Sequence, residues 1–162
     1  MTLTGLRAVA VPFVLLFWFR DATGPALALY GFVLLSDVAD GWAARRFAAV
    51  TRLGAILDPV VDIAVVLSLF AACAYGSAAP WWGPLPPAVT SLVFLATIGR
   101  SVRLGRIGKY YGAVLYVALI PMLAGVSSGV SLAICVVAAA LSGVVMVERI
   151  AGVAGILPRK AR

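Results

Sequence analysis

Four aspartates lie close together in a chain that holds only six acidic residues. Asp37, Asp40, Asp58 and Asp62 fall within 26 positions of one another. Carboxylates in or near hydrocarbon cost on the order of 2.5–3.5 kcal/mol each by insertion scales, so four together require a cationic partner. Oxygen ligands favour Mg²⁺, Mn²⁺ or Ca²⁺ over zinc, and a pair of such ions assists phosphoryl transfer. The acids therefore predict metal-dependent phosphoryl chemistry.

The spacing of the first two aspartates places them on one face of a helix. At about 100° per residue, Asp37, Asp40 and Arg45 share an arc of the helix surface. Gly41 and Ala44 leave a shallow surface between the acids and the base. Such a surface lets a bulky ligand approach the backbone, and Arg45 can hold a phosphate.

The second pair of aspartates follows the same logic on the next helix. Gly54, Asp58 and Asp62 repeat every four residues and so share one face. Because the connection between the two helices is short, we expect antiparallel neighbours whose carboxylates converge on one site.

Two alternatives remain open at this point. Small residues at helical spacing in a membrane protein commonly serve helix packing rather than ligand binding. Carboxylates inside a membrane also mark proton or sodium pathways, so an ion-coupled transporter is a second candidate.

The composition favours a protein that is embedded in a membrane. The chain has 162 residues, 64% hydrophobic and 12% charged, and its mean hydropathy is +1.10. This polar content is too small to coat a water-soluble fold. The absence of histidine excludes Ser-His triads and most zinc sites. Cys73 and Cys135 lie in apolar stretches and are predicted to be small buried hydrophobes.

Six apolar segments predict an all-α protein with six transmembrane helices. The first and fourth are shorter than the roughly 20 residues that a perpendicular span requires. A short interfacial segment precedes the first, and we expect a single domain over residues 1–162. The segments are Ala8–Phe19, Ala22–Ala44, Gly54–Ala79, Pro87–Gly99, Ala113–Ala124 and Val130–Val147.

The basic residues predict the orientation of these spans. Of 13 Lys and Arg, only Arg20 falls on one side of the predicted membrane, and the other twelve fall on the opposite side. The positive-inside rule assigns that side to the cytoplasm, so both termini are expected there, in the inner or plasma membrane. The basic segments lack interleaved aromatics, which favours contact with anionic lipids and argues against nucleic acid.

A longer motif joins the two groups of aspartates. The segment Asp37–Arg45 reads DVADGWAAR and, after eight residues, Gly54–Asp62 reads GAILDPVVD. This pattern resembles the signature DxxDGxxAR, a spacer of eight, GxxxDxxxD of the CDP-alcohol phosphotransferase family, with all eight fixed positions matched. The resemblance implies a homodimeric membrane enzyme that moves a phosphoalcohol group from a CDP-linked donor to a hydroxyl and releases CMP.

The resemblance also implies roles for the acids. Asp37, Asp40 and Asp58 would be ligands of two Mg²⁺ or Mn²⁺ ions. Asp62 would be a further metal ligand or the base that takes the acceptor's proton. Because metal ions lower the pKa of a carboxyl that binds them, Asp62 must be less directly ligated if it is to act as the base.

The remaining motif residues would bind the nucleotide part of the donor. Gly41, Ala44 and Gly54 would make room for cytidine, and Arg45 would grip the diphosphate. A CDP-diacylglycerol can keep its acyl chains in the bilayer while its diphosphate reaches the cytoplasmic boundary, so we expect the site there.

The acceptor is less strongly indicated. Residues 3–7 resemble the LTxxR portion of a motif in phosphatidylglycerophosphate-forming members, without the preceding Pro-Asn. Residues 51–62 resemble the TxxGxxLDPxAD version found in glycerophosphate-using and cardiolipin-making members, with Val61 in place of the alanine. Ile63 stands where those members usually have Lys. Glycerol 3-phosphate is therefore the expected acceptor, with cardiolipin or phosphatidylinositol phosphate synthesis as alternatives.

The acceptor would also need a cation for its phosphate. Arg100 and Arg103, one helical turn apart, could jointly hold it, or they could serve only as topogenic charges. An inactive member of the family is a further possibility.

Overall fold

Six α-helices make up the regular structure of the protein. The computed structural model describes residues 2–47, 54–97 and 106–153, and all regular elements in these ranges are helical. The predicted all-α class is confirmed there. In chain order the helices are α1 (Thr2–Phe19), α2 (Thr23–Phe47), α3 (Gly54–Tyr75), α4 (Leu85–Ala96), α5 (Arg106–Leu123) and α6 (Ser128–Val153).

Each predicted segment corresponds to one helix, but several helix ends differ from the prediction. The helix α1 starts at Thr2, so the expected interfacial segment before Ala8 is part of one continuous helix. Likewise α5 begins at Arg106, seven residues before the predicted Ala113. Hydropathy detects the apolar part of a helix, whereas backbone hydrogen bonds continue through polar turns, which explains the differences.

Tight turns connect the helices at one end of the bundle. Asp21 and Ser77 have φ angles of 57° and 60°, and Gly125 has a φ of 76°. All three adopt the left-handed conformation that reverses a chain within a few residues. After the second of these turns, Pro86 and Pro87 lie in the first turn of α4, where a missing N–H is tolerated.

The helices form two packed groups. The helix α1 packs against α2 and α3, and α6 packs against α4 and α5. Contacts of α5 with α2 and α3 join the groups, together with a contact between α3 and α4. The expected contact of α2 with α3 concerns the end of α2 and the start of α3, whose side chains lie outside the described residues. Among the described residues, α1 and α5 each pack on both helices.

The bundle has an apolar core and an apolar exterior. Val14, Leu69, Phe70 and Leu119 are completely buried. Cys73 and Cys135 are also buried, as predicted, and both are free thiols. Large apolar side chains nevertheless cover the outside, and Leu35 is 71% exposed. An apolar exterior of this kind is unusual in a soluble monomer.

One helix in the described ranges, Ser128–Val153, is long and apolar enough to cross a membrane by length and composition. The other five contain shorter apolar stretches of 10–17 residues. The six-span topology therefore stays a prediction.

Candidate active site

Two buried arginines and a partly buried aspartate lie at one end of the bundle. Arg7 lies in the second turn of α1, Asp62 in the third turn of α3, and Arg149 near the end of α6. At the opposite end, the rings of Phe19 and Tyr75 meet with centroids 6.1 Å apart. Successive helices therefore alternate in direction, and the beginnings of α1 and α3 share the Asp62 end with the end of α6.

The carboxylate of Asp62 receives donors from two other helices. Nη1 of Arg7 lies 2.5 Å from Oδ1 of Asp62, and the Tyr116 hydroxyl donates to the same oxygen at 3.2 Å. The side chain of Arg7 is 2% exposed, whereas that of Asp62 is 32% exposed. A buried guanidinium therefore supplies one of the cations that the acidic cluster was predicted to need.

Tyr116 is itself held by α2. The hydroxyl of Tyr30 donates to the backbone oxygen of Tyr116 at 2.8 Å. The two rings are stacked, with centroids 6.5 Å apart and an interplanar angle of 25°. Side chains from α1 and α5 thus contact a single aspartate of α3, and α2 supports the α5 tyrosine.

Asp62 borders a cavity of about 320 Å³ between the last four helices. This volume is near the lower end of the roughly 300–1,000 Å³ typical of small-molecule sites. Asp62 lies on the α3 wall and Arg149 on the α6 wall, and most of the remaining lining is apolar. Besides these two residues the cavity is lined by Pro59, Ile63, Val66, Thr90, Ser91, Phe94, Tyr111, Gly112, Ala113, Leu115, Tyr116 and Val145.

The guanidinium of Arg149 is buried and fixed in orientation. Its side chain is 5% exposed, and its Nε donates a hydrogen bond to Oγ1 of Thr97. Nη2 donates to the Phe94 backbone oxygen at 3.3 Å, and the guanidinium carbon lies 4.3 Å from the Phe94 ring centroid. Such a cation, desolvated beside a cavity, is suited to an anionic ligand.

Hydroxyl groups form another part of the cavity wall. The hydroxyls of Tyr111 and Ser142 are hydrogen bonded to each other. Oγ1 of Thr90 lies 3.0 Å from the Pro86 oxygen and 3.3 Å from the Ser142 oxygen. The cavity therefore offers a few polar groups against an apolar background, the usual character of a site for a small polar ligand.

For the motif residues other than Asp62, the structure gives only the helix to which each belongs. Asp37 and Asp40 belong to the C-terminal half of α2, and Asp58 belongs to the first turns of α3. The six residues between these helices can span at most roughly 25 Å. The motif side chains that lie outside the described part of the structure are Asp37, Asp40, Gly41, Ala44, Arg45, Gly54 and Asp58.

Two further predictions fall outside what the structure describes. Arg100 and Arg103 lie in the segment 98–105, beyond the described residues. Among the residues that are described, no three His, Cys, Asp or Glu side chains are grouped to hold a metal ion. The predicted metal ligands thus remain predictions.

Three residues of this site were not predicted from the sequence in these roles. Arg7 was interpreted only as a topogenic charge within a partial motif, and Arg149 as a charge that follows the last span. Nothing in the sequence pattern indicated a functional role for Tyr116. For Arg149 a signal existed, because Glu148 and Arg149 interrupt an otherwise apolar helix of 26 residues, and an ionisable residue inside such a helix is usually functional.

Comparison with known proteins extends these observations. The family model described as CDP-alcohol phosphatidyltransferase matches residues 1–148. A protein of Sodalis glossinidius is named CDP-diacylglycerol--glycerol-3-phosphate 3-phosphatidyltransferase. It is 35% identical to this chain over an alignment of 160 residues, and the alignment covers 86% of each chain. A protein of the same name from Pectobacterium atrosepticum is 35% identical over 75% of this chain and 74% of its own. No solved structure matches the chain.

Proposed function

The chain belongs to the CDP-alcohol phosphatidyltransferase family, and we propose that it transfers a phosphatidyl group from CDP-diacylglycerol to glycerol 3-phosphate and releases CMP. The names of the relatives supply this substrate pair. The position of Asp62 supports the proposal most strongly. The last carboxylate of the family motif borders a cavity whose other side carries a buried arginine.

The reaction needs a proton acceptor beside the hydroxyl of the acceptor alcohol. That oxygen attacks the phosphorus that bears the diacylglycerol, and the bond from this phosphorus to the bridging oxygen of CMP breaks. CMP leaves with the bridging oxygen, and the hydroxyl proton passes to the Asp62 carboxylate. We assign this role to Asp62 because its carboxylate is partly exposed at the cavity.

Arg149 gives the cavity a second fixed charge. An acceptor that carries a hydroxyl at one end and a phosphate at the other can place the hydroxyl near Asp62 and the phosphate near Arg149. This arrangement favours glycerol 3-phosphate over a neutral alcohol, since a buried cation is poorly satisfied by a neutral ligand. Arg100 and Arg103 remain proposed as further contacts to the acceptor phosphate.

The donor would occupy the junction of α2 and α3. Asp37, Asp40 and Asp58, with Asp62 as a less direct ligand, would hold two Mg²⁺ or Mn²⁺ ions, since an all-carboxylate donor set suits these metals. Such ions neutralise charge on the diphosphate and on the leaving group. We also propose that Arg45 grips the diphosphate, and that cytidine lies against Gly41, Ala44 and Gly54.

We place the enzyme in the inner or plasma membrane with six spans. The apolar exterior of the bundle supports embedding in lipid. In the topology predicted from the sequence, every basic residue except Arg20 falls on the side of the membrane that holds Asp62, which supports a cytoplasmic site with both termini inside. Residues 1–162 would act as one domain, and two copies would form a homodimer, as the family resemblance implies.

The decisive experiment offers purified protein CDP-diacylglycerol with one acceptor at a time. Glycerol 3-phosphate, inositol phosphate, serine and phosphatidylglycerol are compared, CMP is measured, and the lipid product is identified by mass. We expect phosphatidylglycerophosphate, in Mg²⁺ or Mn²⁺ only. CMP release with another acceptor alone would reassign the substrate, and cation uptake by proteoliposomes without any CMP release would favour the transporter alternative.

A further inference from the structure

We infer that Arg7, Tyr116 and Tyr30, here called the Asp62 brace, are positioning residues that set the orientation of the Asp62 carboxylate. This inference rests on the proposed function, because it assigns a purpose to contacts around the proposed base. Arg7 and Tyr116 both donate to Oδ1 of Asp62, at 2.5 and 3.2 Å. Tyr30 in turn contacts Tyr116 through a hydrogen bond to its backbone oxygen and through ring stacking.

Two donors on one oxygen restrict rotation of a carboxylate. The terminal torsion of an aspartate is broad when the group is free in solvent. A guanidinium from α1 and a phenol from α5 approach the same oxygen from different helices, and each is anchored by its own element. Rotation of the carboxylate would break both contacts, so the brace selects one orientation toward the cavity. Proton transfer depends on such alignment, because small misplacements of reacting groups cost large factors in rate.

The brace also connects the two halves of the family motif. The first half lies on α2 and the second on α3, and these helices make at most slight direct contact in the described residues. The series Tyr30, Tyr116 and Asp62 runs from α2 through α5 to α3. Among the described residues, the link between the proposed base and α2 therefore runs through Tyr116 and Tyr30, which lie outside the motif.

The test replaces single donors and separates binding from chemistry. Tyr116→Phe removes the hydroxyl and keeps the ring that stacks on Tyr30. We expect kcat to fall roughly tenfold, the effect of losing one hydrogen bond to a charged group. The KM values for CDP-diacylglycerol and glycerol 3-phosphate should stay within about twofold of the wild-type values, because the substitution leaves the binding of the ground-state substrates unchanged. Tyr75→Phe, at an exposed tyrosine of the opposite end, is the matched control and should leave kcat unchanged.

A conservative substitution at Arg7 should retain part of the activity. Arg7→Met should lower kcat more than Arg7→Lys, because lysine keeps a donor and a charge near Oδ1 while losing the planar fork. Arg20→Met, at the exposed turn after α1, is the control for loss of a basic residue. Equal losses of kcat in Arg7→Met and Arg7→Lys would contradict a positioning role.

A second readout does not depend on turnover. A double-mutant cycle of melting temperatures for Tyr116→Phe and Asp62→Ala should be non-additive, since each variant removes the contact between the Tyr116 hydroxyl and the Asp62 carboxylate. Additive shifts, or an active wild type with an unchanged kcat in Tyr116→Phe, would overturn the brace while leaving the proposed function intact. A wild type that releases no CMP with any acceptor would overturn both, so the two failures are distinguishable.

Discussion

Arg149 and Thr97 share a buried hydrogen bond that ties the end of α4 to the end of α6. The Thr97 hydroxyl accepts from Nε of Arg149 and donates in turn to the Val93 backbone oxygen at 2.6 Å. Its single proton and one of its two lone pairs are thereby used. The guanidinium consequently has a fixed place beside the cavity, in contrast to a surface charge that only orients the chain in a membrane.

Replacing Arg149 should weaken binding of an anionic acceptor. For Arg149→Gln we expect the KM for glycerol 3-phosphate to rise about ten- to hundredfold, which corresponds to the roughly 1.5–3 kcal/mol of a hydrogen bond to a charged group. The KM for CDP-diacylglycerol should change less than threefold. Steady-state kinetics with each substrate varied in turn measure both. Arg20→Gln is the control, and a parallel rise of both KM values would contradict the assignment.

Removal of the proposed base should abolish most of the chemistry. Asp62→Asn keeps the shape of the side chain and an oxygen that can accept from Arg7. We expect CMP release to fall by on the order of 10²–10⁴, the usual contribution of general acid–base catalysis. Binding of CDP, followed as a rise in melting temperature, should persist. A variant that retains more than a third of the wild-type rate would exclude Asp62 as the base.

Filling the cavity should block the acceptor selectively. Gly112 lines the cavity, and a Cβ added there would meet no atom within 4 Å. Gly112→Leu should therefore fold, and should raise the KM for glycerol 3-phosphate by roughly tenfold or more, since its side chain competes for the same space. Gly24→Leu is the matched control, because that glycine also has open space around it and lies far from the cavity along α2. If the two variants behave alike, the cavity is not the acceptor site.

Divalent metal should be required for nucleotide binding. We expect CDP to raise the melting temperature in Mg²⁺ or Mn²⁺ and not in EDTA, because a ligand stabilises a protein only when it binds the folded state. Asp58→Asn should lose this shift. A CDP-dependent shift of equal size in EDTA would argue against metal ligation by the motif aspartates.

The turn after α3 should matter for stability alone. A Cβ on Gly76 would overlap the indole ring of Trp18, so the indole must move if the residue is enlarged. Gly76→Ala should lower the free energy of unfolding by about 1–3 kcal/mol, as overpacking typically does. Thermal unfolding in detergent measures the change. The kcat of the folded fraction should match the wild type, and a changed kcat would contradict a purely structural role.

Much of the fold was predictable because membrane-like helices have a strong apolar signal. All six apolar segments correspond to helices. The ends of α1 and α5 were wrong because hydropathy is silent about polar turns that continue a helix. The neighbour relation of α2 and α3 was inferred from connection length alone and stays a prediction, whereas the packing of α1 and α5 on both helices had no signal in the sequence pattern.

The candidate site was predictable only where a linear motif exists. Asp62 was identified because its spacing from Asp58 and Gly54 is local in sequence. Its partners Arg7 and Tyr116 lie 55 and 54 residues away, and single-sequence periodicity contains no information about such pairings. Arg149 likewise reaches Thr97 across 52 residues. Contacts of this range depend on helix packing rather than on local pattern.

The Asp62 brace draws its members from the first, second and fifth helices, which places the last of its components late in biosynthesis. A nascent chain that has inserted only its motif helices would hold its aspartate without the tyrosine that aligns it. The enzyme would then become active only when nearly all of its helices have assembled. Incompletely assembled molecules would not consume the energy-rich liponucleotide.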